Sequence, residues 1–185
     1  LTRIGGEPAV RWSHLEVEAL EGDVDGLHWR TRMRYAVDAT GRPGLRAHHT
    51  HDVVPVSECL IASPAIGGTD VLDRAWPGAR EILAVQPDGA AVVLPDPVAG
   101  RARVTQHAAD REWNFDATAF WQVHPGAADA LVRAVRALLR PRPGDHLVDL
   151  YAGVGLFAGA YAETVGPGGR IDAVEADETA IKGAR

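Results

Sequence analysis

Between residues 27 and 38 apolar and polar side chains alternate. Leu27, Trp29, Thr31, Met33, Tyr35 and Val37 fall on one side, and His28, Arg30, Arg32, Arg34 and Asp38 on the other. A period of two belongs to a strand with one buried face, so a half-buried β-strand is expected over 27–38. Upstream, Val10, Trp12 and His14 alternate with polar residues, as do Leu15, Val17 and Ala19 after a phase shift, and 22–26 reads as a turn. Downstream, Asp38-Ala39-Thr40-Gly41-Arg42-Pro43-Gly44 is a turn. Its partner strand is expected to run from Leu45 through His48, His49 and His51 to Val53, Val54 and Val56. Ser57 is placed to cap a short helix through about Ala62, ended by Pro64, and Thr69 another through Ala75 and Trp76. Residues 81–85 and 90–94 flank Gln86-Pro87-Asp88-Gly89, a hairpin signal.

From Phe120 the period changes to that of a helix. Ala127, Leu131, Val135 and Leu138 share one face, Arg133, Arg136 and Arg140 the other, and Pro141-Arg142-Pro143-Gly144 stops it. The apolar run Leu147-Val148-Asp149-Leu150 breaks at Gly153 and Gly155 and resumes as Leu156-Phe157-Ala158, a strand, tight turn and helix. Gly166-Pro167-Gly168-Gly169 and a second strand, 170–175, complete a βαβ unit. The expected fold is α+β: a central β-rich domain over 1–118, then a domain over 119–185 that opens a doubly wound, Rossmann-like sheet. Two parallel strands need cover on both faces and further neighbours, so the reading is of a truncated domain.

Composition adds bounds. The chain has 185 residues, 46% hydrophobic and 24% charged, enough for one or two domains. No apolar run has membrane-spanning length, and Leu1-Thr2-Arg3-Ile4 is neither an initiating Met nor a signal-peptide layout. Cys59 is the single cysteine, which excludes an intramolecular disulfide and suits a reducing cytoplasm, the expected location. A net charge of -6 argues against bulk electrostatic binding of nucleic acid. Locally the balance differs, since 26–51 carries five Arg and four His against one Asp. Arg30, Arg32 and Arg34 on one strand face are the best candidates for RNA contact, and a plain solvated face is the bland alternative. His48, His49 and His51 hint at metal, but alternation splits them between faces.

The glycine turn is the chemical centre. Gly153 and Gly155 let the backbone bend and approach a ligand, and Ala158 fits the third position of a G-x-G-x-x-G/A pattern. Glu175 follows Gly155 by 20 residues at the carboxyl end of the next strand, where a carboxylate can accept ribose hydroxyls. A plain connection and a nicotinamide dinucleotide site share this geometry. Asp149 beside the turn would repel a pyrophosphate and attract the cationic S-adenosylmethionine. Upstream, Phe120 and Trp121 read equally as aromatic anchors for the helix, whereas Gln122 offers donors and an acceptor suited to a polar ligand.

Phe120-Trp121-Gln122-Val123-His124-Pro125, a helix, and then Asp149-Leu150-Tyr151-Ala152-Gly153-Val154-Gly155-Leu156-Phe157 resemble the RNA uracil-5-methyltransferase family. Its corresponding segments read F-F-Q-V-N and D-L-Y-C-G-x-G-x-F, and the match extends to Glu175. Residues 29–34, the 41–44 turn and 54–59 resemble more weakly that family's central β-rich domain. The resemblance implies a class I methyltransferase that binds S-adenosylmethionine through Gln122, Tyr151, Gly153 and Glu175 and acts on ribosomal or transfer RNA; from composition a soluble chain is expected, and a monomer. Family members add a cysteine to uracil C6, making C5 nucleophilic toward the sulfonium methyl, and commonly extrude the target base. By that resemblance the nucleophile and base lie beyond residue 185, so the chain alone is expected to be inactive. His124, Ala152 and Leu156 depart from the usual Asn, Cys and Asn. Cys59 resembles the last of four cysteines that hold an iron-sulfur cluster in some members, the other three then lying upstream of residue 1 in the intact protein, with a buried small hydrophobe as the alternative. The competing functions are an NAD-dependent oxidoreductase and a non-catalytic RNA-binding module.

Overall fold

The computed structural model describes residues 16–20, 23, 25–96 and 102–183. The expected alternation at Val10, Trp12, His14 and Leu15 lies outside them, and Val17 is fully exposed with no strand at 16–20.

The first sheet is antiparallel, in the order β3-β2-β1-β4-β5: β1 (Arg32–Val37), β2 (Pro43–Arg46), β3 (Val53–Pro55), β4 (Glu81–Val85) and β5 (Val92–Asp96). The strand expected from 27 begins at Arg32, because His28 takes a positive φ of 57° and Arg30 pairs instead with Ala62 in an isolated parallel bridge. Tyr35 lies opposite Ile82 and Met33 opposite Ala84, and these four join Ile66, Val71 and Trp76 in one core. The hairpin between β4 and β5 forms as expected, with Val85 paired to Val92.

Three local expectations are corrected. The single partner strand over 45–56 is a hairpin: 47–52 turn back, with Ala47 N–H donating to the Asp52 carbonyl (2.9 Å) and His49 at a φ of 59°, so His48 and His49 sit in the turn. No helix follows Ser57. Instead Pro64 starts α1 (Pro64–Gly67), where its missing N–H costs nothing because first-turn donors have no partner inside the helix. No helix follows Thr69 either, whose hydroxyl turns back to the Ile66 carbonyl (2.7 Å).

The rest of the chain forms a second unit. β6 (Arg103–Ala108) and β7 (Arg111–Asp116) make a hairpin, followed by α2 (Ala127–Leu139), β8 (His146–Leu150), α3 (Leu156–Val165), β9 (Arg170–Val174) and α4 (Glu178–Gly183). The β6–β7 turn places Ala109 and Asp110 at φ 53° and 57°, a left-handed pair that a hairpin favours. β8 and β9 are parallel, paired from His146–Arg170 to Leu150–Val174, so the expected strand–helix–strand order is present.

α2 buries Ala128 and Val132 and leaves Leu138 86% exposed, a face turned by about one position from the one expected. Arg136 lies over the ring of Tyr161 at 5.8 Å, and the Tyr161 hydroxyl donates to the Val132 carbonyl (2.8 Å). The second core joins Trp113, Phe115 and Trp121 to Leu156, Ala160 and Tyr161, and thus gathers β6 and β7 from before the expected junction at 118. Val92 and Leu94 of β5 pack on this core and Ala91 and Val93 on the first, so the sheet lies between the two.

Gly159 sits under Trp113, whose indole is fixed by a bond to the Ala108 carbonyl (3.0 Å). A Cβ at 159 would meet the ring well inside van der Waals contact. Gly159→Ala is therefore expected to destabilise by about 1–2 kcal/mol in urea unfolding, although alanine is the better helix former.

Candidate functional site

The turn after β8 concentrates left-handed backbone: Tyr151, Gly153 and Gly155 have φ of 59°, 58° and 85°. Positive φ is uncommon for a side chain as large as tyrosine and clusters at functional sites. Tyr151 is 93% exposed, so its ring is free to meet a ligand. A Cβ built at Gly153 would meet nothing within 4 Å, which leaves open space beside that backbone.

Two carboxylates hold the turn. The α3 N-cap is Gly155, which has no side chain to offer, and Asp149 accepts the Ala158 N–H instead (3.1 Å). Burial raises the Asp149 pKa above the ordinary aspartate range, partly opposed by that bond. Glu175 accepts from Gly153 N–H through Oε2 (2.7 Å) and from Ala176 and Asp177 N–H through Oε1 (2.7 and 2.9 Å). The Asp177 amide, then those of Gly153 and Ala176, holds its carboxyl below the usual glutamate range.

Beside the turn lies a hollow of about 100 Å³ lined by Phe120, Gln122, Asp149, Tyr151, Gly153 and Phe157 among others. Gln122 is half-buried, and its amide makes no hydrogen bond among the described residues. The structure therefore brings Gln122, Tyr151 and Gly153 around one hollow. Glu175 is not in its lining and stands one hydrogen bond away, on the Gly153 amide.

The two aromatic residues upstream separate. Trp121 is 5% exposed and stacks on Phe115 at 5.1 Å, an anchor, whereas Phe120 is 64% exposed at the rim. Phe157 lines the hollow and stacks on Tyr161. His124 accepts the Gly126 N–H at Nδ1 (3.1 Å), which assigns its proton to Nε2, and it stacks on Trp29.

The three arginines do not share a solvent face. Arg34 is exposed and pairs with Glu81, and half-buried Arg30 donates to the Arg32 carbonyl (3.1 Å). Arg32 is buried, with Nη2 donating to the carbonyls of Ala117 (2.6 Å) and Ala119 (2.7 Å), so its expected availability to RNA is corrected. The second core covers that end of the face. Half-buried Cys59 lines a separate cavity of about 520 Å³ with Tyr35 and Ser63. No three His, Cys, Asp or Glu side chains converge as a metal site among the described residues.

Comparison with known proteins bears on this arrangement. No family model matches the chain. An uncharacterized RNA methyltransferase of Streptomyces avermitilis is 38% identical over 188 residues, covering 85% of this chain and 43% of the relative. The 23S rRNA (uracil(1939)-C(5))-methyltransferase RlmD of Acidithiobacillus ferrooxidans is 36% identical over 75 residues, 37% of this chain and 17% of the relative. Among solved structures, the Pyrococcus abyssi tRNA (uracil-54, C5)-methyltransferase in complex with S-adenosyl-L-homocysteine aligns with a TM-score of 0.62 at 17% identity. That alignment covers 87% of this chain and 52% of the other. The chain is thus similar over most of its length to RNA methyltransferases, and over part of it to one named for uracil C5. It spans less than half the length of the Streptomyces relative. Its fold matches that of the Pyrococcus methyltransferase, a β-rich part joined to a part with helices. No helix among the described residues is long and apolar enough to cross a membrane.

Proposed function

We propose that this chain contributes the S-adenosylmethionine site of an RNA uracil-C5 methyltransferase. The observation that carries this reading is the hollow where an unpartnered Gln122 amide meets Tyr151 and the Gly153 backbone, with Glu175 fixed behind it by three amide donors. Gln122 would hold a polar end of the cofactor. Glu175 has two oxygens with about four acceptor positions between them, so lone pairs remain for ribose hydroxyls. When bound, the cofactor supplies an electrophilic methyl group on a sulfonium. The residues here bind and orient it, and Phe120, Phe157 and Tyr151 give it apolar walls.

At about 100 Å³ the hollow is smaller than a usual ligand pocket, which suits one wall of a site completed by other parts of the protein. Val148, Leu150 and Val174 lie on one face of the β8–β9 pair and are more than half exposed. Parallel sheets are covered on both faces, so this supports the reading of the pair as the first βαβ unit of a doubly wound sheet. RNA contact from the β-rich part rests on exposed Arg34 and half-buried Arg30.

The test uses the protein expressed from its complete reading frame, with RNA carrying tritium at uridine C5 and S-adenosylmethionine as donor. Cofactor-dependent tritium release with formation of 5-methyluridine is expected. Methylation at another atom would contradict the uracil-C5 assignment. A second expectation concerns Asp149. Asp149→Asn keeps an acceptor for the Ala158 N–H and removes a partly buried charge, so the unfolding midpoint at pH 7 should not fall. The preference for S-adenosylmethionine over the uncharged sulfur of S-adenosylhomocysteine should drop by about threefold or more, read by calorimetry.

A further inference from the structure

We infer that Arg32 is a positioning residue for the cofactor site: from β1 it fixes the segment that carries Phe120 and Gln122 into the hollow. This rests on the cofactor reading above. The 117–124 segment has no helix or strand of its own. Its carbonyls are instead taken up by two consecutive residues of the other unit. Arg32 Nη2 donates to Ala117 (2.6 Å) and Ala119 (2.7 Å), while the Thr31 N–H and hydroxyl both donate to Val123 (2.7 and 2.9 Å). Phe120, Trp121 and Gln122 are held between these ties. The seam extends to Trp29, stacked on His124 at 5.8 Å. Its base is rigid, since β1 pairs with β4 at every position from Arg32 to Ala36.

Stability alone is a poor reason for this residue. Arg32 is 9% exposed, its Nη1 has no partner, and no carboxylate lies within salt-bridge distance among the described residues. Burial, with Arg34 nearby, pulls its pKa down to about 10, so it is charged at neutral pH and still bears a desolvation cost. An apolar residue here would remove that desolvation cost but leave the Ala117 and Ala119 carbonyls without their donor, so the two effects on stability oppose each other. What an apolar residue cannot do is bind two carbonyls on either side of a bend, which a planar multi-donor head does. The geometry therefore assigns Arg32 to holding a loop in one shape, and the loop's cargo is Gln122.

The experiment titrates S-adenosylhomocysteine by calorimetry into the protein from its complete reading frame and records the unfolding midpoint of each variant. Arg32→Met is expected to weaken binding about tenfold, a misplacement effect. Arg32→Lys, which keeps a cation with several donors, should recover part of it. Thr31→Val removes one tie and keeps the backbone bond, with an expected loss of about threefold, and it serves if Arg32→Met does not fold. Ile82→Val, in the core on the other side of the sheet, should lower the midpoint and leave affinity unchanged. Wild-type affinity in Arg32→Met or Thr31→Val, or an equal loss in Ile82→Val, would overturn the inference by reducing Arg32 to a structural role. If the wild-type protein gives no binding heat, the cofactor reading fails and takes this inference with it.

Discussion

Glu175→Gln is expected to weaken S-adenosylhomocysteine binding by about a hundredfold or more in a calorimetric titration. Both carboxylate oxygens are already engaged, by Gly153 on one side and by Ala176 and Asp177 on the other. An amide of the same shape must turn its NH2 toward one of these N–H groups, so either the Gly153 turn or the β9 end loses its acceptor. Ribose hydroxyls meanwhile lose a charged acceptor, and charged hydrogen bonds are the stronger ones. The same geometry sets a pH dependence. The folded pKa of Glu175 lies below its unfolded value, so the tether's contribution is fully present above the unfolded glutamate pKa, about 4.3. It is lost as pH falls through the folded value, and Glu175→Gln should flatten this part of the acid limb of the stability profile.

Phe115→Ala is expected to cost about 3–5 kcal/mol in urea unfolding. Its ring is fully buried and stacks on Trp121 at 5.1 Å, with Trp113 tilted against Trp121 at 6.0 Å. The cavity would open where the β6–β7 hairpin, the 117–123 segment and the β8–α3–β9 unit share one core. Because Trp121 precedes Gln122 directly, affinity for S-adenosylhomocysteine should fall with stability. A loss below about 1 kcal/mol would mean that the core collapses around the gap and does not hold the site rigid.

What the sequence displayed and what it hid follow from the range of the forces involved. The β8–turn–α3 stretch was legible because glycine, aspartate and a following carboxylate act within a few residues of one another. The α2 helix was legible by its period, although its orientation depends on Arg136 meeting Tyr161, a contact made only after folding. The β6–β7 hairpin carried no sign, since its turn residues are Ala109 and Asp110 in place of glycine. Ser57 and Thr69 looked like caps because their chemistry suits one, yet the Thr69 hydroxyl turns back to the Ile66 carbonyl and no helix follows either residue. Arg32 shows the limit most plainly. Alternation put it beside Arg34, but a segment 85 residues away buries one and not the other.

The site was partly legible in the same sense. Gln122, Tyr151 and Gly153 could be joined by motif spacing and do line one hollow. Glu175 was expected against the ligand itself, and it is found bracing the Gly153 amide. Phe120 and Trp121 could not be told apart by residue type, because which of two neighbouring rings turns inward is decided by Phe115 on another strand.

The most direct test of this account is a tryptophan-fluorescence titration of the protein from its complete reading frame, with S-adenosylhomocysteine in one series and NAD in the other. Trp121 lines the hollow and reports on its filling. A saturable change with S-adenosylhomocysteine that is lost in Glu175→Gln, and none with NAD, is the expected result. Saturation by NAD with no response to S-adenosylhomocysteine would contradict it.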